Sequence, residues 1–291
     1  MKINSFCLTC LIQMQESQVR KFDDEEKKMK YMREVLAFLS SCNPDLSAPA
    51  LVKPLSRIYE KYWGRRDSMD EVKKEFNDFL LSMEEDLEMQ IRKHNDPLEA
   101  ALCFARTGNY IDYAAVKDIS KDKLLELFEE QKQAGLEKNE YRLFLKDMEQ
   151  ASKLVYLTDN CGEVVLDKIA LKMIREKYPD LDVTAVVRGE PVVNDADLDA
   201  ARCVGLDRVV KVLGNGSGIA GTDLDDISDE ARREIETADV IISKGQGNFE
   251  TIHGCGLNIY YLFLCKCDWF VQKFKTERFE GMFINERRIP R

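Results

Sequence analysis

Leu154-Val155-Tyr156-Leu157 runs straight into Thr158-Asp159-Asn160-Cys161-Gly162-Glu163, and a helical pattern from Val164 to Lys177 follows. A short apolar run, a polar turn with glycine and an amphipathic segment, in that order, read as strand, loop and crossover helix. The unit recurs. Val183-Thr184-Ala185-Val186-Val187, Val209-Val210-Lys211-Val212-Leu213 and Val240-Ile241-Ile242-Ser243 are further strand candidates, a helix is expected from Ile227 to Glu236, and Trp269-Phe270-Val271 reads as a last strand. Strands alternating with helices imply a mostly parallel sheet covered on both faces. Residues 151–291 are therefore expected to form a Rossmann-like three-layer α/β/α domain.

Residues 1–150 have a different texture. Apolar positions recur at helical spacing from Met29 to Leu39 and again from Val72 to His94, where Val72, Phe76, Phe79, Leu80, Met83, Leu87 and Ile91 make one stripe. Pro97 opens a helix that runs into Gly108, and the Lys- and Glu-rich stretch from Lys121 to Lys146 supplies one or two more. The expectation is an all-helical domain over 1–150 preceding the α/β domain over 151–291.

The 291 residues carry 43 Lys and Arg against 53 Asp and Glu, a formal net charge of -10, which argues against a nucleic-acid backbone as partner. No stretch approaches the 18 or so apolar residues of a membrane span, and Met1 to Cys7 lacks the apolar core of a secretory leader. Nine cysteines without such a leader point to reduced thiols and the cytoplasm. Cys7-Leu8-Thr9-Cys10 has metal or redox spacing, but no second such pair completes a zinc site. Packed thiols near a helix start explain it more simply.

In open α/β sheets ligands bind beyond the carboxyl ends of the strands. The residues leaving the first strand are Asp159, Asn160 and Glu163; those leaving the second run from Arg188 to Asn194 and Asp195. Gly214 to Gly221 follows the third, and Lys244-Gly245-Gln246-Gly247-Asn248-Phe249-Glu250 the fourth. Helix capping accounts for Asn160 with Glu163, or for Asn194 with Asp195, when each pair is taken alone. Their spacing of about one βαβ unit sets the two acids at neighbouring strand ends. Two Asp carboxylates and an Asn carbonyl are hard donors suited to Mg²⁺, Mn²⁺ or a similar ion, whereas two histidines make a His-rich zinc site improbable. The glycine-rich run after the third strand is neither a P-loop nor a dinucleotide fingerprint, although its backbone suits an approach to an anion.

Asp159-Asn160-x-Gly162-Glu163, Arg188-Gly189-x-Pro191-x-x-Asn194-Asp195 and Lys244-Gly245-Gln246-Gly247-Asn248-Phe249-Glu250 together resemble the damage-control phosphatases, the group catalogued as domain of unknown function 89. Cys7-x-x-Cys10, Asp96-Pro97-Leu98, Gly108-Asn109-Tyr110-Ile111-Asp112 and Lys266-Cys267 resemble the branch of that family common in archaea and bacteria. The likeness runs in order from about residue 7 to residue 271. It implies a helical domain on a Rossmann-like domain, and one divalent cation (manganese, nickel, cobalt or magnesium) held by Asp159, Asn160 and Asp195. It assigns substrate or phosphate contacts to Glu163, Asn248, Glu250 and Lys266, with Lys244 assisting and Asn109 and Asp112 reaching in from the helical part. The implied activity is metal-dependent hydrolysis of phosphate monoesters of small metabolites, sugar phosphates or damaged phosphometabolites.

With those roles, Arg188 and Lys266 would neutralise the phosphoryl oxygens. Either a metal-activated water or Asp159 itself attacks. The lack of an Asp-x-Asp-x-Thr signature after the first strand favours water. Two alternatives stand beside this reading: an S-adenosylmethionine-dependent carboxyl methyltransferase, which would need its glycines directly after the first strand, and a non-catalytic phosphometabolite-binding protein.

Overall fold

The computed structural model describes residues 1–65, 68–111 and 121–289. Two compact units divide the chain, Met1–Ser68 and Met69–Arg291. The boundary expected near residue 150 is thus displaced to residue 68, because the helices from Asp70 onward share one core with the sheet.

The first unit is three helices, α1 (Ser5–Val19), α2 (Glu25–Ser41) and α3 (Ala48–Trp63). Asn4 and Asp24 start the first two by accepting hydrogen bonds from the Cys7 and Lys27 N–H groups, which would otherwise have no intrahelical acceptor. Leu11 and Val19, Tyr31, Val35 and Leu39, and Leu51, Leu55 and Tyr59 recur every four or eight residues along their helices and close into one core. Cys7 is buried and Cys10 exposed on α1, and all nine cysteines are thiols rather than disulfides.

In the second unit the stripe from Val72 to His94 forms two helices, α4 (Asp70–Leu81) and α5 (Glu84–Arg92), interrupted at Ser82 and Met83. Then come α6 (Pro97–Gly108), α7 (Lys121–Ala134) and α8 (Lys138–Met148). The α/β part follows as β1 (Lys153–Leu157), α9 (Glu163–Lys177), β2 (Asp182–Val187), α10 (Leu198–Cys203), β3 (Lys211–Gly214), α11 (Asp229–Glu236), β4 (Val240–Lys244), α12 (Gly245–Ile252), β5 (Ile259–Leu264), α13 (Asp268–Phe274) and β6 (Gly281–Asn285). The strands form one sheet in the order β3-β2-β1-β4-β5-β6. Every pairing is parallel except β5 with β6.

Two expectations change here. Trp269-Phe270-Val271 lies in α13, not in a strand. The fifth parallel strand is instead Ile259-Tyr260-Tyr261-Leu262-Phe263-Leu264, buried at every position as a strand covered on both faces must be.

The strand order sets the site. From β1 the chain winds outward to β2 and β3, then returns to the other side of β1 as β4 and β5. Crossovers therefore leave in opposite directions from β1 and β4, and the crevice between their carboxyl ends is the topological switch point where such sheets bind ligands. Helix α6, buried from Leu98 to Gly108 apart from Glu99, lies along α9. A side chain at Gly108 would come within 2.6 Å of the Leu166 methyl, so the two helices can approach this closely only with glycine there. That approach delivers Asn109 to the crevice.

Glu286, just beyond β6, ties α12 to the sheet. It contacts His253 Nδ1 at 2.9 Å and accepts from the Gly254 N–H at 2.9 Å and the Tyr261 hydroxyl at 2.8 Å. Burial raises its pKa, but these partners outweigh burial and hold it below the usual 4.5. A depressed carboxylate adds stability above its unfolded pKa and loses it as pH falls. Glu286→Gln should therefore lower Tm at pH 7 by roughly 2–4 °C for each kcal/mol lost, and thermal melts should show the gap to wild type closing below about pH 4.5.

Candidate active site

Asp159 follows β1 by two residues and Asn160 by three, and both are fixed by main-chain bonds to the loop after β2. Ala196 N–H donates to the Asp159 carbonyl at 2.7 Å, Cys161 N–H donates to the Asn194 carbonyl at 2.8 Å, and Asn160 pairs with Asp195 as an isolated antiparallel bridge. The two loops are thereby stitched together, and both aspartates reach one place. Val193, beside them, has φ +42°, a conformation that disfavours a β-branched residue and that these flanking bonds hold in place. Cys161 is buried in the same turn. Burial is the main cause that pushes its thiol up to about 12.

Arg188, the residue after β2, is 1% exposed and braces the aspartates. Its Nε donates to Asp195 Oδ2 at 2.6 Å, one terminal nitrogen to Asp159 Oδ1 at 3.3 Å, and the other to Asn248 Oδ1 at 3.1 Å. Asn248, on α12, donates back to the main-chain oxygens of Thr158 and Lys244 at 2.9 and 2.7 Å and also accepts from the Thr222 hydroxyl. One amide therefore ties β1, β4 and the guanidinium together.

The other oxygen of Asp159 accepts from Asn109 Nδ2 at 2.9 Å and Asn160 Nδ2 at 2.8 Å. Both amides also donate to Glu163, which opens α9. The Asn160 N–H to Glu163 contact of the capping-box reading exists, but at 3.4 Å it is the longest in the group. Gly162 is the cap residue, and the Asn160 side chain serves the carboxylates.

Lys244, at the end of β4, behaves differently from expectation. An ammonium has three donors, and all three are used inside the protein, on Glu163 Oε1 at 2.5 Å, Asp167 Oδ1 at 2.6 Å and the Ala105 carbonyl at 2.9 Å. With its side chain at 0% exposure it is sealed beneath the site, so a direct grip on phosphate does not fit this geometry. Burial alone would lower its pKa, but Asp167 and Glu163 more than restore it, and it stays charged. Asp167 and Tyr156, whose hydroxyl donates to Asp167 at 2.7 Å, are given no site role in the sequence reading. The available signal was two acids four residues apart, Glu163 and Asp167, on one side of a helix otherwise apolar through that turn, which calls for a cation between them.

Lys266 follows β5 and is 1% exposed, close enough for its charge to act on Asp159. Glu250 lies two positions beyond Asn248 on α12, a rotation of about 200° that sends the two side chains to different faces; its charge acts on the Cys267 thiol. Asp112 lies outside the described residues.

Four carboxylates (Asp159, Glu163, Asp167, Asp195) and three cations (Arg188, Lys244, Lys266) are thus buried together, one negative charge in excess. The strain shows at Asp159. Burial first, then Asp195 and Glu163, raise its pKa well above the ordinary value, against the pull of Lys266 and Arg188. A divalent cation fits this donor set. It would turn an excess of one negative into one positive, and two carboxylates and an amide oxygen are the hard ligands it prefers. No group of three or more His, Cys, Asp or Glu gathers in metal-binding geometry among the described residues, so a site here depends on the amide.

Residues 3–281 match the damage-control phosphatase ARMT1-like domain. The chain belongs to that family. It is 30% identical over 275 residues to a damage-control phosphatase of Archaeoglobus fulgidus, covering 92% of this chain and 93% of that one. It is 28% identical to another from Pyrococcus horikoshii, with 96% of each chain covered. The crystal structure of a DUF89 family protein from Pyrococcus horikoshii superposes with a TM-score of 0.79 at 26% identity, covering 98% of this chain and 99% of that one. The expected family, the α/β fold with its mostly parallel sheet and an enzyme acting on phosphate esters all hold. No helix of the described residues is long and apolar enough to cross a membrane.

Gly245 exposes how tightly this family site is built. It has φ +76°, and a Cβ there would overlap the Asp159 carboxylate. Gly245→Ala should cut phosphomonoester hydrolysis at least 100-fold by displacing that carboxylate. Gly254→Ala, at φ +96° with open space around it, should bear only the backbone cost of about 1–2 kcal/mol and keep its activity. Steady-state rates and thermal melts of the two variants check the contrast.

Proposed function

We propose that this chain hydrolyses phosphate monoesters of small metabolites, sugar phosphates or damaged phosphometabolites, at the switch point between β1 and β4. Asp159, Asn160 and Asp195 hold one divalent cation, manganese, nickel, cobalt or magnesium, and the enzyme works in the cytoplasm. The observation that carries the reading is the convergence of two braced aspartates and the Asn160 amide beside Arg188 and Lys266 in a buried cluster with a net negative charge. Such a cation, when bound, supplies Lewis-acid polarisation of the phosphoryl group and of water.

The chain's own residues do the rest. Arg188 and Lys266 place fixed positive charge where the equatorial oxygens of the phosphoryl group develop theirs, in a setting with little water to screen it. Both Asp159 oxygens already accept hydrogen bonds, Oδ1 from Arg188 and Oδ2 from Asn109 and Asn160. A carboxylate so engaged is a holding group, which supports water as the nucleophile over an aspartyl-phosphate route. The turn after β1 carries Thr158-Asp159-Asn160 instead of the glycines a methyl-donor site requires there.

The test is a metal add-back on chelator-treated protein with a generic phosphomonoester and a panel of sugar phosphates. Hydrolysis should vanish with the metal and return with a divalent cation. Asp159→Asn and Asp195→Asn should each lower it by 100-fold or more while leaving the circular dichroism spectrum unchanged. Turnover that survives complete chelation would overturn the proposal.

A further inference from the structure

Glu163 sits where a substrate contact is expected, yet its side chain is at 0% exposure and both its oxygens face protein donors. Oε1 accepts from Lys244 and Asn109, and Oε2 from Asn109, Asn160 Nδ2 and the Asn160 N–H. The chain behind it is equally closed: Lys244 is held by Asp167, and Asp167 by Tyr156. The second Asp167 oxygen is buried without a hydrogen-bond partner among the described residues, so the group is retained at an energetic cost that a purely structural filler would avoid.

A primary amide has two ends of opposite character, and only its surroundings decide which end faces where. The Asn109 oxygen accepts from the Leu264 N–H at 3.2 Å, which fixes that amide from the strand side. Among the described residues no main-chain donor meets the Asn160 oxygen; its orientation rests on the two carboxylates that take its NH₂, Asp159 and Glu163. Asp159 would share its oxygens with a bound cation. Glu163 is therefore the partner that keeps the Asn160 nitrogen turned inward whether or not the cation is present.

The geometry points to Glu163 as a positioning residue for the cation site, anchored by the buried Lys244–Asp167–Tyr156 chain, that orients the Asn160 amide so that its oxygen is the ligating end. This rests on the proposal above that Asn160 is a metal ligand. It removes Glu163 and Lys244 from the set of residues that touch substrate and places them under the metal ligands instead.

The experiment measures Mn²⁺ binding to the chelator-stripped protein by electron paramagnetic resonance of the free ion, beside kcat and KM for the generic phosphomonoester. Glu163→Gln keeps the shape but sets an NH₂ against the NH₂ groups of Asn109 and Asn160. The Mn²⁺ Kd should rise by about 10-fold or more, the range usual for partners behind metal ligands, with kcat reduced at subsaturating Mn²⁺ and KM within about twofold of wild type. An unchanged Mn²⁺ Kd with a raised KM would make Glu163 a substrate contact and overturn the inference. Because that variant risks misfolding, Lys244→Met combined with Asp167→Asn is the second arm. It leaves the net charge of the cluster unchanged and removes only the anchor of Glu163. Weaker Mn²⁺ binding supports the inference; an unaltered Kd in a folded double variant overturns it. Absence of Mn²⁺ binding in the wild type would instead bring down the metal-site proposal itself, and the inference with it.

Discussion

The Lys244 ammonium is sealed from solvent. It lies at the end of the central strand β4 with its three protons on Glu163, Asp167 and a main-chain carbonyl of α6. Removing a charge of this kind from solvent costs several kcal/mol, and attraction to its partners offsets that only when the geometry is close to ideal. The placement of β4, of the first two turns of α9 and of the last turn of α6 is therefore coupled. Moving any one of them leaves a buried charge unmatched. Tight approach at Gly108 and the fixed turn at Gly162 are local devices that satisfy this larger electrostatic demand.

Above that layer lies a second, built on Arg188, which holds the loops after β1 and β2 at one separation by bracing an aspartate from each. The two layers divide the labour. The lower seals Lys244 between Glu163 and Asp167 and carries the excess negative charge, while the upper presents Asp159, whose pKa is raised by burial first and then by Asp195 and Glu163. The proposed binding of a cation and then a phosphate ester draws on that excess, since a neutral cluster would attract neither strongly. The sheet order makes the arrangement possible by opening a crevice at the switch point, where α9 and α12 leave in opposite directions.

Much of this was legible in the sequence. The runs at Leu154, Val183 and Val240 are strands, that at Val209 is one from Lys211 onward, and the aspartates beyond the first two meet at Arg188. Trp269 to Val271 is a short apolar run, which periodicity alone cannot assign to strand or helix; it lies in α13, and the buried strand is Ile259 to Leu264. The change of texture near residue 150 marks where strands begin, but a compact unit is defined by a shared core, and helices α4 to α8 contribute to the same one as the sheet. The pairing of Lys244 with Asp167 was hidden because it depends on which way a strand-end side chain points. Motif order constrains that weakly, and three-dimensional closure decides it.

Cys161 sits in the middle of the Asp-Asn-Cys-Gly-Glu turn, within two residues of three groups assigned to the site. Its sulfur faces the Asp195 carbonyl, and burial raises its pKa to about 12. The thiolate is the reactive form towards electrophiles and peroxide, and at cellular pH almost none of it exists here. A sequence that looks exposed to oxidative inactivation at its centre is chemically quiet there, and sensitivity to alkylating reagents would have to arise at more accessible thiols, first the exposed Cys10 and Cys203, which lie outside that turn.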